Sequence, residues 1–120
     1  LPKDMIPFWD LCFTDGDDQP RDSSSASIAA CGMLEMAKYM DTEDAKFYTE
    51  IAKKLMKSLY DDYAVQNPET SNGLVLHSTY SNHSPYNTCN HYGVDECNSW
   101  GDYFYMEALM RLHEDWNPYW

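Results

Sequence analysis

Two of the three helical stretches in this sequence carry apolar side chains around nearly their whole circumference, and a chain of 120 residues has little with which to cover them. In the first, Ala26, Ile28, Ala29, Ala30, Cys31, Gly32, Met33, Leu34, Met36 and Ala37 point in nearly every direction around the axis, as in a helix buried on all sides. The third repeats the pattern with Trp100, Tyr103, Phe104, Tyr105, Met106, Ala108, Leu109, Met110 and Leu112. Between them lies an amphipathic helix. Its Phe47, Ile51, Leu55 and Leu59 step by four, joined by Tyr48, Ala52, Met56 and Tyr60, while Lys46, Glu50, Lys53, Lys54 and Lys57 take the remaining positions. The order buried, amphipathic, buried suits an all-α double ring, in which inner helices form a barrel and each outer helix leads back to the next inner start. Three helices cannot close such a ring, so the two buried ones require partners from elsewhere.

Local chemistry places the ends of these helices. The first is expected from about Asp22 to Met40, with Asp22 or Ser23 as cap. The second spans about Thr42 to Ala64, capped by Asp41 and carrying Glu43 and Asp44 in its first turn as the dipole prefers. The third runs from about Ser99 to Glu114 behind Asn98 or Ser99. The starts at Asp22 and Asn98 present free backbone N–H groups, and two polar starts opening apolar helices point to one shared rim able to hold a polar ligand. Residues 1 to 21 read as an irregular leader rich in Pro and Asp. Leu74-Val75-Leu76-His77-Ser78-Thr79-Tyr80 reads as a short strand, hairpin arm or extended piece, and 81 to 97 as a long polar loop.

Composition removes several classes of partner. With 20 acidic and 8 basic residues the formal charge is −12, which disfavours nucleic acid and anionic membrane surfaces. Hydrophobic content of 43% suffices for a packed core and excludes a disordered chain. No apolar run approaches the roughly 20 residues of a membrane span, and no signal peptide is expected. The start at Leu1 instead of Met suggests a processed product or a piece of something longer. Cys12, Cys31, Cys89 and Cys97 form no Cys-x-x-Cys pair, and disulfides are not indicated. His83, Cys89, His91 and Cys97 could be drawn as a zinc set, but their spacings of six, two and six match no common structural zinc pattern. No metal or other cofactor is expected.

The stretch Asp95-Glu96-Cys97-Asn98-Ser99-Trp100-Gly101-Asp102-Tyr103-Phe104, running on to Arg111 and ending in Asp115-Trp116-Asn117-Pro118-Tyr119-Trp120, resembles the C-terminus of unsaturated glucuronyl hydrolases, glycoside hydrolase family 88. Pro7-Phe8-Trp9-Asp10, Pro20-Arg21-Asp22-Ser23-Ser24-Ser25-Ala26 and Gly73-Leu74-Val75-Leu76-His77-Ser78-Thr79-Tyr80 fit the same family in the same order. The resemblance implies that residues 1 to 120 are the C-terminal third of a single (α/α)6-barrel catalytic domain. It further implies a parent enzyme, bacterial and either periplasmic or cytoplasmic, whose partner is an unsaturated uronide oligosaccharide released by polysaccharide lyases. Such enzymes remove a 4,5-unsaturated uronic acid from the non-reducing end by protonating and hydrating the C4=C5 bond. This is not displacement at the anomeric carbon, so the carboxylate-separation rule for glycosidases does not apply. The two aspartates the family uses lie upstream of the matched region, and no catalytic residue carries over.

The candidate substrate contacts are Trp9, Arg21, Asp22, Ser23, Ser81, Ser84, Trp100 and Asp102. Trp100 could stack on a sugar ring or belong to the core. Arg21 could hold a uronate carboxylate or a structural ion pair. Asp102 could touch substrate or cap its helix. Trp9 lies in a matched stretch. Ser81 and Ser84 keep the serine spacing of a Ser-x-x-Ser-x-Lys pattern with which related enzymes hold a sulfate, but Tyr86 stands in place of the lysine. The remainder of the barrel, or another copy of the chain, is the expected cover for the two buried helices. The alternative to a hydrolase segment is a non-catalytic helical module that binds a glycan or protein partner, with the exposed helices covered by self-association.

Overall fold

The computed structural model describes residues 1–82 and 93–117. Its first helix, α1 (Ser23–Ala37), begins where Asp22, in extended backbone conformation, accepts the Ser24 N–H at 3.1 Å and the Ser24 hydroxyl at 2.6 Å. It stops three residues before the expected Met40. Helix α2 (Thr42–Ser58) starts on Asp41, whose carboxylate takes the N–H groups of Glu43 and Asp44, both at 3.1 Å. It does not continue to Ala64 as an α-helix: Leu59–Tyr63 is a π-helical turn, closed by the Ala64 N–H on the Leu59 carbonyl at 2.7 Å. Helix α3 (Ser99–His113) is capped by Asn98, which accepts the Gly101 N–H at 2.6 Å.

Helix α1 is the central element, packed against α2 on one side and α3 on the other, while α2 and α3 barely touch. The α1 interfaces use small side chains, Ser23, Ala26, Ser27 and Ala30, which allow close axial approach. From α2 and its π-helical turn come Ala52, Leu55, Met56 and Leu59, and from α3 Tyr105 and Ala108. Burying each leucine here contributes about 1.5–3 kcal/mol. The leader joins this core through Ile6, fully buried, and Phe8.

The segment 74–80 is extended but forms no strand. Its pairing consists of isolated antiparallel bridges, Ala64 with Val75 and Ser78 with Glu96, and no β-strand occurs among the described residues. Two non-glycine residues flank this pairing with positive φ, His77 at 64° and Asp95 at 58°.

Burial on all sides, as the composition of α1 and α3 leads one to expect, is not reached within this chain. Each helix buries one face and leaves the other bare: Ile28 is 42% exposed, and on α3 Tyr103, Met106 and Leu109 are 46%, 56% and 43% exposed. Three helices place neighbours on only part of the circumference. No helix of the described residues is long and apolar enough to cross a membrane.

Candidate functional site

The starts of α1 and α3 do meet at one rim. Gly101 makes the meeting possible, since a Cβ there would lie 3.1 Å from Ser24 Cβ, 3.3 Å from Ser78 Oγ and 2.8 Å from the capping oxygen of Asn98. Trp100 lies across the junction and donates its indole N–H to Ser24 Oγ at 3.3 Å. Because Ser24 donates in turn to Asp22, the chain Trp100, Ser24, Asp22 links the two helix starts.

The extended segment is fastened to the same place. Ser23 donates its hydroxyl to the Leu76 carbonyl at 2.6 Å, sits 2.9 Å from Ser78 Oγ, and gives its backbone N–H to the His77 carbonyl at 3.1 Å. Asp22 also accepts the Thr79 N–H at 3.3 Å. One turn into α3, Asp102 Oδ1 accepts two backbone N–H groups, from Leu74 at 2.9 Å and Val75 at 3.0 Å. Asp22, Ser23 and Asp102 are thereby engaged in holding backbone.

What remains open at the rim is aromatic. Trp100 is 40% exposed and Tyr80 is 52% exposed; their rings meet edge to face, 5.0 Å between centroids and 77° between planes. Tyr80 donates its hydroxyl to Glu96 at 3.1 Å, and Ser81, half-buried, follows it with its N–H on the Gly93 carbonyl at 3.1 Å. The rim therefore offers an aromatic corner next to a hydroxyl, chemistry that suits the C–H face and edge of a pyranose.

Two candidates lie elsewhere. Arg21 is engaged by the leader: it donates to the Ile6 carbonyl at 2.7 Å, pairs with Asp4 at 3.3 Å and Asp15 at 3.9 Å, and stacks 4.0 Å from the centre of the Phe8 ring. Trp9 donates its indole N–H to Gln19 at 3.0 Å and tilts against Phe13. Ser84 lies outside the described residues, as do His83, Tyr86, Cys89 and His91. Among the described residues no group of three His, Cys, Asp or Glu side chains could hold a metal ion.

Beside the rim, a cleft of about 770 Å³ is lined by Asp4, Asp18, Arg21, Asp62, Tyr63, His77 and Asp95, among others. Here His77 Nδ1 lies 2.6 Å from Asp95, and the Tyr63 phenol donates to Asp4 at 2.9 Å. Burial first, then the Asp4 carboxylate, raise the Tyr63 phenol above its ordinary range, so it stays protonated. Four aspartates against one arginine give this cleft a negative lining that disfavours anions.

The sequence gives little sign of the ion network inside the α1–α3 interface. Arg111 and Glu107 have side chains 2% and 1% exposed, joined at 2.8 Å, and Arg111 also donates to Glu35 across to α1. Their spacing of four on an otherwise apolar helix was the available signal.

Comparison with known proteins decides the family. No protein-family model matches the chain. The whole chain, however, is 46% identical over 122 residues to the unsaturated chondroitin disaccharide hydrolase of Streptococcus pyogenes serotype M1, and 31% identical over 122 residues to the unsaturated glucuronyl hydrolase of Bacillus sp. strain GL1. A crystal structure of a variant unsaturated glucuronyl hydrolase from Streptococcus agalactiae, complexed with dGlcA-GalNAc6S, superposes on all of this chain with a TM-score of 0.88 and 43% identity. The chain belongs to the unsaturated glucuronyl hydrolase family. It spans 29% of the Streptococcus pyogenes relative's length, 31% of the Bacillus relative's and 31% of the Streptococcus agalactiae chain. The unsaturated glucuronyl hydrolases are (α/α)6 barrels, so α1, α2 and α3 make up about a third of that architecture. In unsaturated glucuronyl hydrolase terms, the described faces of α1 and α3 left bare here are those of barrel helices without their neighbours.

Proposed function

We propose that this chain is the C-terminal segment of an (α/α)6-barrel hydrolase that removes 4,5-unsaturated uronic acid from the non-reducing end of lyase-generated oligosaccharides by hydrating the C4=C5 bond. In this reading α1 and α3 are inner helices, α2 is an outer one, and residues 1–120 belong to one catalytic domain. The observation that carries it is the match over the full chain to enzymes named for this activity, at 46% identity and a TM-score of 0.88.

Within that domain the segment contributes binding and no acid or base. Trp100 supplies a face for the sugar ring and Ser81 a hydroxyl at its edge. Asp22, Ser23 and Asp102 position the rim from behind, and Arg21 and Trp9 fix the leader beneath it. The protonating aspartate comes from the part of the barrel outside this chain, and the substrate is an unsaturated uronide oligosaccharide.

The test is a chimera in which this chain replaces the matching segment of the Streptococcus pyogenes enzyme. It should hydrolyse unsaturated chondroitin disaccharide, read as loss of the ultraviolet absorbance of the conjugated double bond. Trp100→Ala in the chimera should raise KM roughly fivefold to tenfold, the loss expected for one aromatic contact. A folded chimera without turnover would count against the reading as a whole, and an unchanged KM against Trp100 as a sugar contact.

A further inference from the structure

Ser24 sits where the starts of α1 and α3 meet and is only 2% exposed, so a ligand at the rim cannot reach its hydroxyl. The two hydrogen bonds of that hydroxyl nevertheless have a fixed direction. The Asp22 carboxylate accepts, so the Ser24 hydroxyl places its single proton there, at 2.6 Å. The indole N–H of Trp100 can only donate, so it takes the oxygen that remains, at 3.3 Å. A hydroxyl that gives its proton to a carboxylate is polarised into a better acceptor in turn. Asp22 also holds Ser24 in place, because the same carboxylate oxygen takes the Ser24 backbone N–H at 3.1 Å.

The consequence falls on Trp100. Its Nε1–H is the one hydrogen-bonding group an indole has. With that group committed to Ser24, the 40% of Trp100 that stays exposed offers ring carbon and π surface. Tyr80 meets the same ring at 5.0 Å and 77°, so the indole is held both at its nitrogen and through an aromatic contact. A ring fixed before its ligand arrives loses less rotational freedom on binding. Gly101 supplies the room for this arrangement: a Cβ there would fall 3.1 Å from Ser24 Cβ, and a larger residue would push Ser24 away from the turn that carries Trp100.

We propose that Ser24 is a positioning residue for the sugar site: its buried hydroxyl orients the Trp100 indole so that the ring face, and not the N–H, meets the C–H face of the pyranose. The proposal rests on the reading of Trp100 as a sugar contact and adds to it a residue that never touches the sugar. A hydroxyl that served only to support the cap of α1 would act through Asp22, and its loss would be felt whatever stood at position 100. Positioning requires instead that the effect of Ser24 on binding vanish when the indole N–H is absent.

The experiment is a double-mutant cycle of Ser24→Ala and Trp100→Phe in the chimera with the Streptococcus pyogenes enzyme, with Ser27→Ala as control. Ser27 is also fully buried and donates its hydroxyl to the Ser23 carbonyl at 3.2 Å, nearly one turn further along α1. Ser24→Ala should raise KM for unsaturated chondroitin disaccharide about threefold with kcat unchanged, the size of one hydrogen bond. Ser27→Ala should leave both unchanged, and in the Trp100→Phe background Ser24→Ala should add nothing. An equal rise in both backgrounds would overturn the proposal, and so would no rise in a chimera whose KM does respond to Trp100→Ala. The indole proton gives a second readout, independent of turnover. In a chimera carrying nitrogen-labelled tryptophan, the Trp100 Nε1–H resonance, identified by its loss in Trp100→Phe, should shift and exchange faster with water in Ser24→Ala; an unmoved resonance would overturn the proposal as well. If the chimera folds without turnover, or its KM ignores Trp100→Ala, the functional reading fails, and a shifted resonance then still shows Ser24 orienting the ring.

Discussion

Asp102 shows how a carboxylate in the first turn of a helix can hold the backbone of a distant segment. Its position in the first turn of α3 fits either a capping carboxylate or a substrate contact, and its Oδ1 takes the N–H groups of Leu74 and Val75. Val75 is 1% exposed, so its N–H has little recourse to water once that acceptor is gone. Asp102→Ala should therefore destabilise the chain by about 1–3 kcal/mol, the cost of leaving a buried donor unpaired. Asp102→Asn keeps a carbonyl oxygen and should lose less. Urea unfolding midpoints measure both, and an Asp102→Ala midpoint equal to that of the unaltered chain would contradict the assignment. Cys31 is a second residue set by its surroundings: burial first, then the nearby Glu107, push its thiol up to about 12, and it donates to the Phe104 carbonyl at 3.2 Å. It stays a thiol at physiological pH and acts as a small packing residue.

At the scale of elements, the α1–α3 contact combines small-residue packing with one ionic link. Glu35 on α1 is hydrogen-bonded by Lys38 and by Arg111 of α3, and these two cations, in that order, hold its carboxyl down at about 2. A carboxylate whose pKa is depressed in the folded state contributes stability that is fully present above its unfolded value, near 4.5, and lost as pH falls through the folded one. Stability should accordingly decline from about pH 4.5 toward pH 2, and Glu35→Gln should flatten that decline. Thermal melts stepped through this range test the point; identical acid profiles for both proteins would remove Glu35 from the account. The element starts were readable from sequence because Asp22, Asp41 and Asn98 act on N–H groups two or three residues away. The convergence of the α1 and α3 starts followed from their shared polar character. What sequence concealed were pairings across long separations, such as Arg111 with Glu35 and Asp102 with Leu74, together with the π-helical turn at Leu59–Tyr63. The candidate site was legible to the same degree. Trp100 lies at the junction of the two helix starts, a place its position in the first turn of α3 made readable, whereas the commitment of Arg21 to Asp4, Asp15 and the Ile6 carbonyl depended on a leader with no periodicity to read.

For the molecule as a whole, half-covered helices and a proposed function that places the protonating acid outside this chain lead to one expectation. The purified 120-residue chain should leave unsaturated chondroitin disaccharide untouched over a period in which the Streptococcus pyogenes chimera consumes it. Turnover by the isolated chain at a comparable rate would mean that the acid resides within these residues after all. The leader adds a different property. The Trp9 N–H reaches the Pro20 carbonyl at 3.1 Å and the Asp22 N–H reaches Pro7 at 2.9 Å, so both ends of the exposed stretch from Leu11 to Asp18 are fastened to each other. With Ile6 and Phe8 anchored in the core, a protease that nicks this stretch would release no fragment. The severed pieces would travel together until a denaturant parted them.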